Sequence, residues 1–164
     1  MSDEVLGLIS DITAMPPING DVRVGLDLLL YSGNLAENMG FEHVLPEHVR
    51  EVCNETAPSI TTEDIMDLDE TGRLILLGIA RSLERKSEAY VSLKEIREAY
   101  QIACEERGVK AEDEIDPYVE ELVRLGIVSM KSLTKFTISD VPAEKLRKFL
   151  NGIVKRVEVG LEED

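Results

Sequence analysis

The segment Gly20-Asp21-Val22-Arg23 opens the apolar stretch GDVRVGLDLLL and places a carboxylate and a guanidinium on the first turn of an expected helix. Asp21 suits the cap, because a short acidic side chain accepts from the free amides there and complements the positive end of the helix dipole. Arg23 has two readings. It either faces water, or it is held at the helix start to touch an anion, for which a planar guanidinium with fixed donors suits phosphate. One arginine contacts a phosphate without cradling it, so the second reading requires a partner surface from elsewhere.

A second group of candidates lies near the end of the chain. From Lys131 to Arg156 there are 7 basic side chains (Lys131, Lys135, Lys145, Arg147, Lys148, Lys155, Arg156) against Asp140 and Glu144, a net charge of +5. Lys131, Ser132, Thr134 and Lys135 surround an expected hairpin turn, and Lys155 and Arg156 lie on the last helix. Cations and hydroxyls so placed are the residue types that hold a nucleic-acid backbone without reading its sequence. The alternative is that the hairpin lysines solubilise an edge and the helix cations form an outer amphipathic face.

Other chemistries find little support. No serine, cysteine or histidine constellation suggests nucleophilic catalysis. Cys53 and Cys104 lie far apart within apolar helical patterns and read as reduced, buried thiols. His43 and His48 flank a helix start beside Glu42 and Glu47; loop or surface histidines are expected, with a metal site as the alternative. The residues contain no G-x-x-x-x-G-K-[ST] loop and no apolar strand ending in paired acids for magnesium, so this chain is not expected to hydrolyse ATP or to hold a cofactor of its own.

The elements that must position these residues follow from pattern and punctuation. At 164 residues, 43% hydrophobic and 31% charged, the chain can bury a real core; at 4% aromatic, without Trp, it lacks the material for base-stacking platforms. Its net charge of −15 is unevenly spread: residues 1–70 hold 2 basic against 15 acidic side chains, and residues 71–164 hold 16 against 18. Such asymmetry points to two functional faces. No apolar run reaches the length of a membrane span and the acidic start lacks a basic signal region, so a cytoplasmic protein with no membrane partner is expected.

The front reads as three helices. EVLGLISDITA ends at MPPING, a second helix runs from Asp21 to about Asn38 with Gly40 closing it, and a third starts at Pro46 with Val49, Val52 and Cys53 on one face and stops by Pro58. An acidic connector, TTEDIMDLDE, leads to a helix carrying Leu74 to Leu83 and a short strand at Tyr90-Val91. A further helix starts at Ser92, with Glu95 at capping-box spacing, and ends at Gly108. Asp116-Pro117 then opens another helix, the hairpin IVSMKSLTKFTIS follows, and a last helix buries Leu146, Phe149, Leu150, Ile153 and Val157. The fold class is therefore mainly α: a small helical bundle, residues 1–60, followed by a winged-helix domain, residues 61–164, with a short β-hairpin wing. That architecture belongs with the helix-turn-helix readers of duplex DNA, and it also serves as a protein-binding module.

With these segments in order, the chain resembles the archaeal DNA replication initiators of the origin-recognition and cell-division-control type. GDVRVGLDLLLYSGNLAE resembles their sensor 2 segment in the lid of the AAA+ ATPase, and LILLGIA, YVSLKEI, YQIACEERGV and VEELVRLGIV resemble successive pieces of their winged helix. The resemblance implies that Arg23, beside Asp21, reaches the phosphates of ATP held with magnesium on an ATPase core in the parent family. It also implies that the winged helix contacts double-stranded origin DNA in a nucleoid-associated protein. The chain looks like the rear of a longer protein or a degenerate relative. It departs from the family at AEDEIDPY, where Glu112, Asp113, Glu114 and Asp116 crowd the start of the third winged-helix helix and oppose phosphate, and in a short wing whose cations are Lys131 and Lys135. Weak DNA binding is expected from the wing and the last helix. The alternative is a protein-interaction winged helix that docks another initiator subunit or the replicative helicase.

Overall fold

The computed structural model describes residues 1–56 and 60–162, with side chains up to Ile153. Three helices come first: α1 (Asp3–Ala14), α2 (Val22–Asn38) and α3 (Pro46–Thr56). Each starts where the chemistry of the cap demands. Ser2 Oγ accepts from the Val5 amide at 3.3 Å, Asp21 accepts from the Arg23 amide at 2.9 Å, and Pro46 occupies a first-turn position where its missing N–H costs nothing. Val5, Leu8 and Ile9 of α1, Leu28 of α2, and Val49, Val52 and Cys53 of α3 close into one apolar cluster, joined by Ala89 from the second half of the chain.

The helix α2 departs from the impression its composition gives. Val22, Leu26 and Leu30 repeat every fourth residue and so share one face, yet they are 72%, 58% and 57% exposed. The inward face is carried by Leu28, Ser32 and Ala36 instead.

The remainder comprises α4 (Thr62–Met66), α5 (Glu70–Lys86), α6 (Leu93–Arg107), α7 (Asp116–Arg124), the strands β1 (Ser129–Ser132) and β2 (Lys135–Thr137), and α8 (Ala143–Glu162). The acidic connector is thus partly helical: Thr61 and Asp64 form a reciprocal capping box that nucleates α4, a signal hidden in the sequence by the surrounding acids. At α6 the box is half made. Ser92 Oγ accepts from the Glu95 amide at 3.2 Å, but the Glu95 carboxylate turns to Lys86 at 2.9 Å. Gly108, at φ +65°, ends α6 in the left-handed conformation that favours glycine.

α5 is the central rod, with Leu74 to Ala80 almost wholly buried against α6, α7 and α8. Gly78 allows the closest approach: a Cβ there would meet the Tyr100 amide nitrogen of α6 at 3.0 Å. The two strands pair antiparallel, with Ser129 opposite Thr137 and Met130 opposite Phe136. Val91 adds a single bridge to Phe136 through bonds of 2.8 and 2.9 Å, so the expected third strand is reduced to one residue. Leu146, Leu150 and Ile153 of α8 are buried and Phe149 packs against them; Val157 lies outside the described side chains.

A buried arginine ties the two halves together. Arg50 of α3 is 1% exposed and donates through Nε to the Ile138 carbonyl at 2.6 Å and through Nη2 to the carbonyls of Glu88 and Ala89 at 3.1 Å each. Burial lowers its pKa, and the Glu47 carboxylate, 3.5 Å away, opposes that. Glu47 in turn accepts from the amides of Ala143 and Glu144 at 2.7 and 3.2 Å, capping α8 from across the junction. Glu4 accepts from the Ala89 amide at 2.8 Å.

Candidate nucleotide and nucleic-acid interface

Arg23 stands on the first turn of α2 with its side chain 91% exposed and its Nε 3.7 Å from Asp21 Oδ1. At that exposure the ion pair contributes little to stability, so the guanidinium is free to swing toward an incoming anion. It borders the apolar stripe of Val22, Leu26 and Leu30, which together form an uncovered face of the helical bundle. Asp21 caps α2, accepting from the Arg23 amide at 2.9 Å.

The wing brings Lys131, Thr134 and Lys135 to one open cleft of about 570 Å³, which also includes Asp3, Glu4 and Glu95. Ser132 and Thr134 spend their hydroxyls on the turn itself: their oxygens lie 3.3 Å apart, and the Thr134 amide donates to Ser132 Oγ at 3.3 Å. Lys135 is exposed. Lys131 is engaged. Its Nζ lies 3.2 Å from Asp11 of α1 and 4.8 Å from the centre of the Tyr90 ring, and the Tyr90 hydroxyl donates to the same Asp11 carboxylate. Burial, then the Asp11 carboxylate, push the Tyr90 phenol up, so it stays a donor.

The cations of α8 are similarly occupied. Lys145 meets Glu51 at 2.7 Å, Arg147 meets Glu84 at 2.5 Å, and Lys148 meets Glu144 one turn back at 2.7 Å. Lys155 and Arg156 lie outside the described side chains. The acids at the start of α7 are open to solvent: Glu112, Asp113, Glu114 and Asp116 are all exposed, and the N-cap residue Ile115 supplies no side-chain cap.

The histidines and cysteines separate from this surface. His43 is exposed, but His48 is buried at 4% exposure, correcting the expectation of two surface histidines. Its Nδ1 accepts from the Leu45 amide at 2.9 Å and its ring meets Phe41 edge-on, so it closes the first turn of α3. Burial pushes the Cys53 thiol up to about 12 and raises Cys104 as well, which leaves both unreactive. Among the described residues, no three potential ligands converge as they would around a metal ion, and no helix is long and apolar enough to cross a membrane.

Sequence reasoning passed over Arg50, Asp11 and Tyr90. One signal was available for Arg50: it is one of 2 basic residues before position 71, and it lies next to Val49 and three residues from Cys53 on the apolar face of α3. Nothing local marks Asp11 as the partner of a lysine far along the chain.

Comparison with known proteins matches both halves of the chain. Residues 1–54 match the family described as Cdc6 AAA+ ATPase-type lid domain, and residues 63–136 match the CDC6 C terminal winged helix domain. An ORC1-type DNA replication protein of Methanocorpusculum labreanum is 28% identical over 80% of this chain, and ORC1-type DNA replication protein 7 of Halobacterium salinarum is 31% identical over 82%. The chain spans 31% and 26% of the length of those two relatives. The crystal structure of Cdc6p from Pyrobaculum aerophilum superimposes with a TM-score of 0.85 at 30% identity, over 94% of this chain and 43% of that one. The Aeropyrum pernix ORC2 protein, solved with ADPNP and ADP, shares the fold at a TM-score of 0.52 and 22% identity, over 97% of this chain and 41% of that one. By its two matched domains, their order and their fold, the chain belongs to the Cdc6/ORC1-type replication initiators, of which it comprises the lid and winged-helix region.

Proposed function

We propose that residues 1–60 are a nucleotide-reading lid and residues 61–164 a winged helix that helps hold duplex DNA, the two working beside an AAA+ ATPase core. The observation that carries this reading is the uncovered face of α2. An arginine 91% exposed next to Val22, Leu26 and Leu30 makes an apolar surface that covers a partner domain and presents one cation to its nucleotide. Asp21 caps the helix that carries that cation, and the core supplies the phosphate cradle, the ATP and the magnesium. On DNA, Lys135 and Lys131 neutralise phosphate while the hydroxyl-bearing turn of Ser132 and Thr134 sits close to the backbone. Contacts of this kind position a protein without selecting sequence. Lys155 and Arg156, the further cations expected from the sequence, lie outside the described side chains.

The test joins this chain in one polypeptide to a nucleotide-binding core of the Cdc6 type. ATP should then slow hydrogen exchange along α2, and Arg23→Ala should abolish that response while leaving the lid folded. An Arg23→Ala variant that responds to ATP as the parent does would overturn the nucleotide-reading role. A second reading, a protein-interaction winged helix for an initiator subunit or the helicase, is favoured by one observation: Lys131, Lys145, Arg147 and Lys148 each face a carboxylate of this chain. A fluorescent duplex titrated at low and moderate salt separates the two, since phosphate contacts bind at low salt and weaken steeply as salt rises, whereas the interaction module binds little duplex at either.

A further inference from the structure

Between α7 and the wing lies a cleft of about 200 Å³ whose walls are aliphatic and aromatic: Leu93, Val119, Val123, Met130, Leu133 and Phe136. Leu133, at the wing tip, is 84% exposed and Met130 48%. A wing that served phosphate alone has no use for an uncovered leucine at its tip, and apolar surface left in water costs free energy that a partner recovers. The rim is acidic. Asp116 and Glu120 line the cleft, and the exposed Glu112, Asp113 and Glu114 precede it. Arg124, beside Val123, is held by Glu121 and Lys131 by Asp11, while Lys135 of β2 is exposed on the wing.

We propose that this cleft is a docking groove for a helical segment of a partner protein, with an aliphatic stripe flanked by lysines or arginines. The proposal rests on the protein-interaction reading of the winged helix and names the chemistry of the partner. Charge complementarity selects the occupant: carboxylates around the rim repel nucleic acid and attract an ammonium or guanidinium. Shape selects a helix. The walls are apolar side chains from α6, α7 and the wing, and an amphipathic helix arrives with its backbone satisfied and its apolar stripe forward, whereas an added strand would turn to the outer edge of β1, which pairs with no strand among the described residues.

The experiment uses the whole chain, labelled for amide and methyl NMR, and three synthetic helical peptides. One carries a leucine stripe with lysine flanks, one the same stripe with glutamate flanks, and one lysine flanks with serine replacing leucine. The leucine-lysine peptide should shift Val119, Val123, Met130 and Leu133 selectively. Leu133→Ser, a change at an exposed site, should weaken it about tenfold. Asp116→Asn with Glu120→Gln should weaken it roughly threefold at low salt and little at high salt. The proposal is overturned if the glutamate or serine peptide binds as well, or if duplex DNA shifts the same residues more strongly than the peptide. It is also overturned if the peptide's shifts fall elsewhere, as on the Val22–Leu30 face; that result leaves the broader interaction reading standing.

Discussion

Replacing Arg50 by alanine should release the lid from the winged helix while sparing the winged-helix core. The side chain is 1% exposed and serves three carbonyl oxygens, of Ile138, Glu88 and Ala89, the first of which also accepts a longer bond from the Thr137 hydroxyl at 3.4 Å. Each carbonyl orphaned in a dry junction costs about 1–3 kcal/mol. Removing the guanidinium also relieves its own desolvation, and Glu47 keeps two amide donors on α8, so no bare charge is left behind. The net loss is therefore set by the carbonyls and the vacated volume, and comes to about 3–5 kcal/mol, a large part of the ~5–15 kcal/mol that typically holds a domain together. Arg50→Met keeps most of the volume and isolates the hydrogen-bond part, about 3 kcal/mol. Urea unfolding followed by far-UV circular dichroism measures the total. Hydrogen exchange locates it: α1 and α3 should lose protection while α5 and α6 retain theirs. A change below ~1 kcal/mol, or loss of protection beginning in α5, would falsify the view that Arg50 anchors the junction.

Asp11→Asn should free Lys131 from its carboxylate and raise affinity for duplex DNA a few-fold at low salt, read by fluorescence anisotropy; unchanged affinity would mean that Lys131 does not meet phosphate. Lys131→Ala with Lys135→Ala should lower affinity equally for unrelated duplexes, whereas Glu112→Gln, Asp113→Asn and Glu114→Gln together should raise it in the same assay. Burial lowers the His48 pKa below its usual 6.5, so the unfolded chain takes up a proton that the native one refuses. Stability is full above pH 6.5 and declines as pH falls through the interval down to the native value, a slope that His48→Gln should flatten in urea midpoints measured across that range. The isolated chain should bind ATP too weakly for calorimetry to detect at micromolar concentration, since a lone guanidinium does not hold a triphosphate.

The sequence alone determined most of the helix ends, because caps and breakers are local, though α4 lay hidden in the acidic connector and the strand expected at Tyr90-Val91 is a single bridge. Asp21, Pro46, Ser92, Gly108 and Pro117 mark helix ends through their own backbone chemistry, and the stripe of Ile96, Tyr100, Ala103 and Cys104 faces the core in any fold that buries α6. Arg23 was legible for the same reason, as its place on the first turn of α2 depends on nothing distant. The tertiary structure decided which charges remain available. Lys131 and Asp11 are 120 positions apart in sequence and Lys145 and Glu51 are 94 apart, so no count of basic residues could reveal that these cations pair with carboxylates of the same chain. Burial was decided at the same level: Val22, Leu26 and Leu30 have the composition of a core and lie in water, while Arg50 has that of a surface and lies in the junction. An apolar side chain is driven inward only if another element covers its face, and a charged one is retained inside only where carbonyls converge on it. Both conditions depend on how the helices pack, which local sequence does not encode.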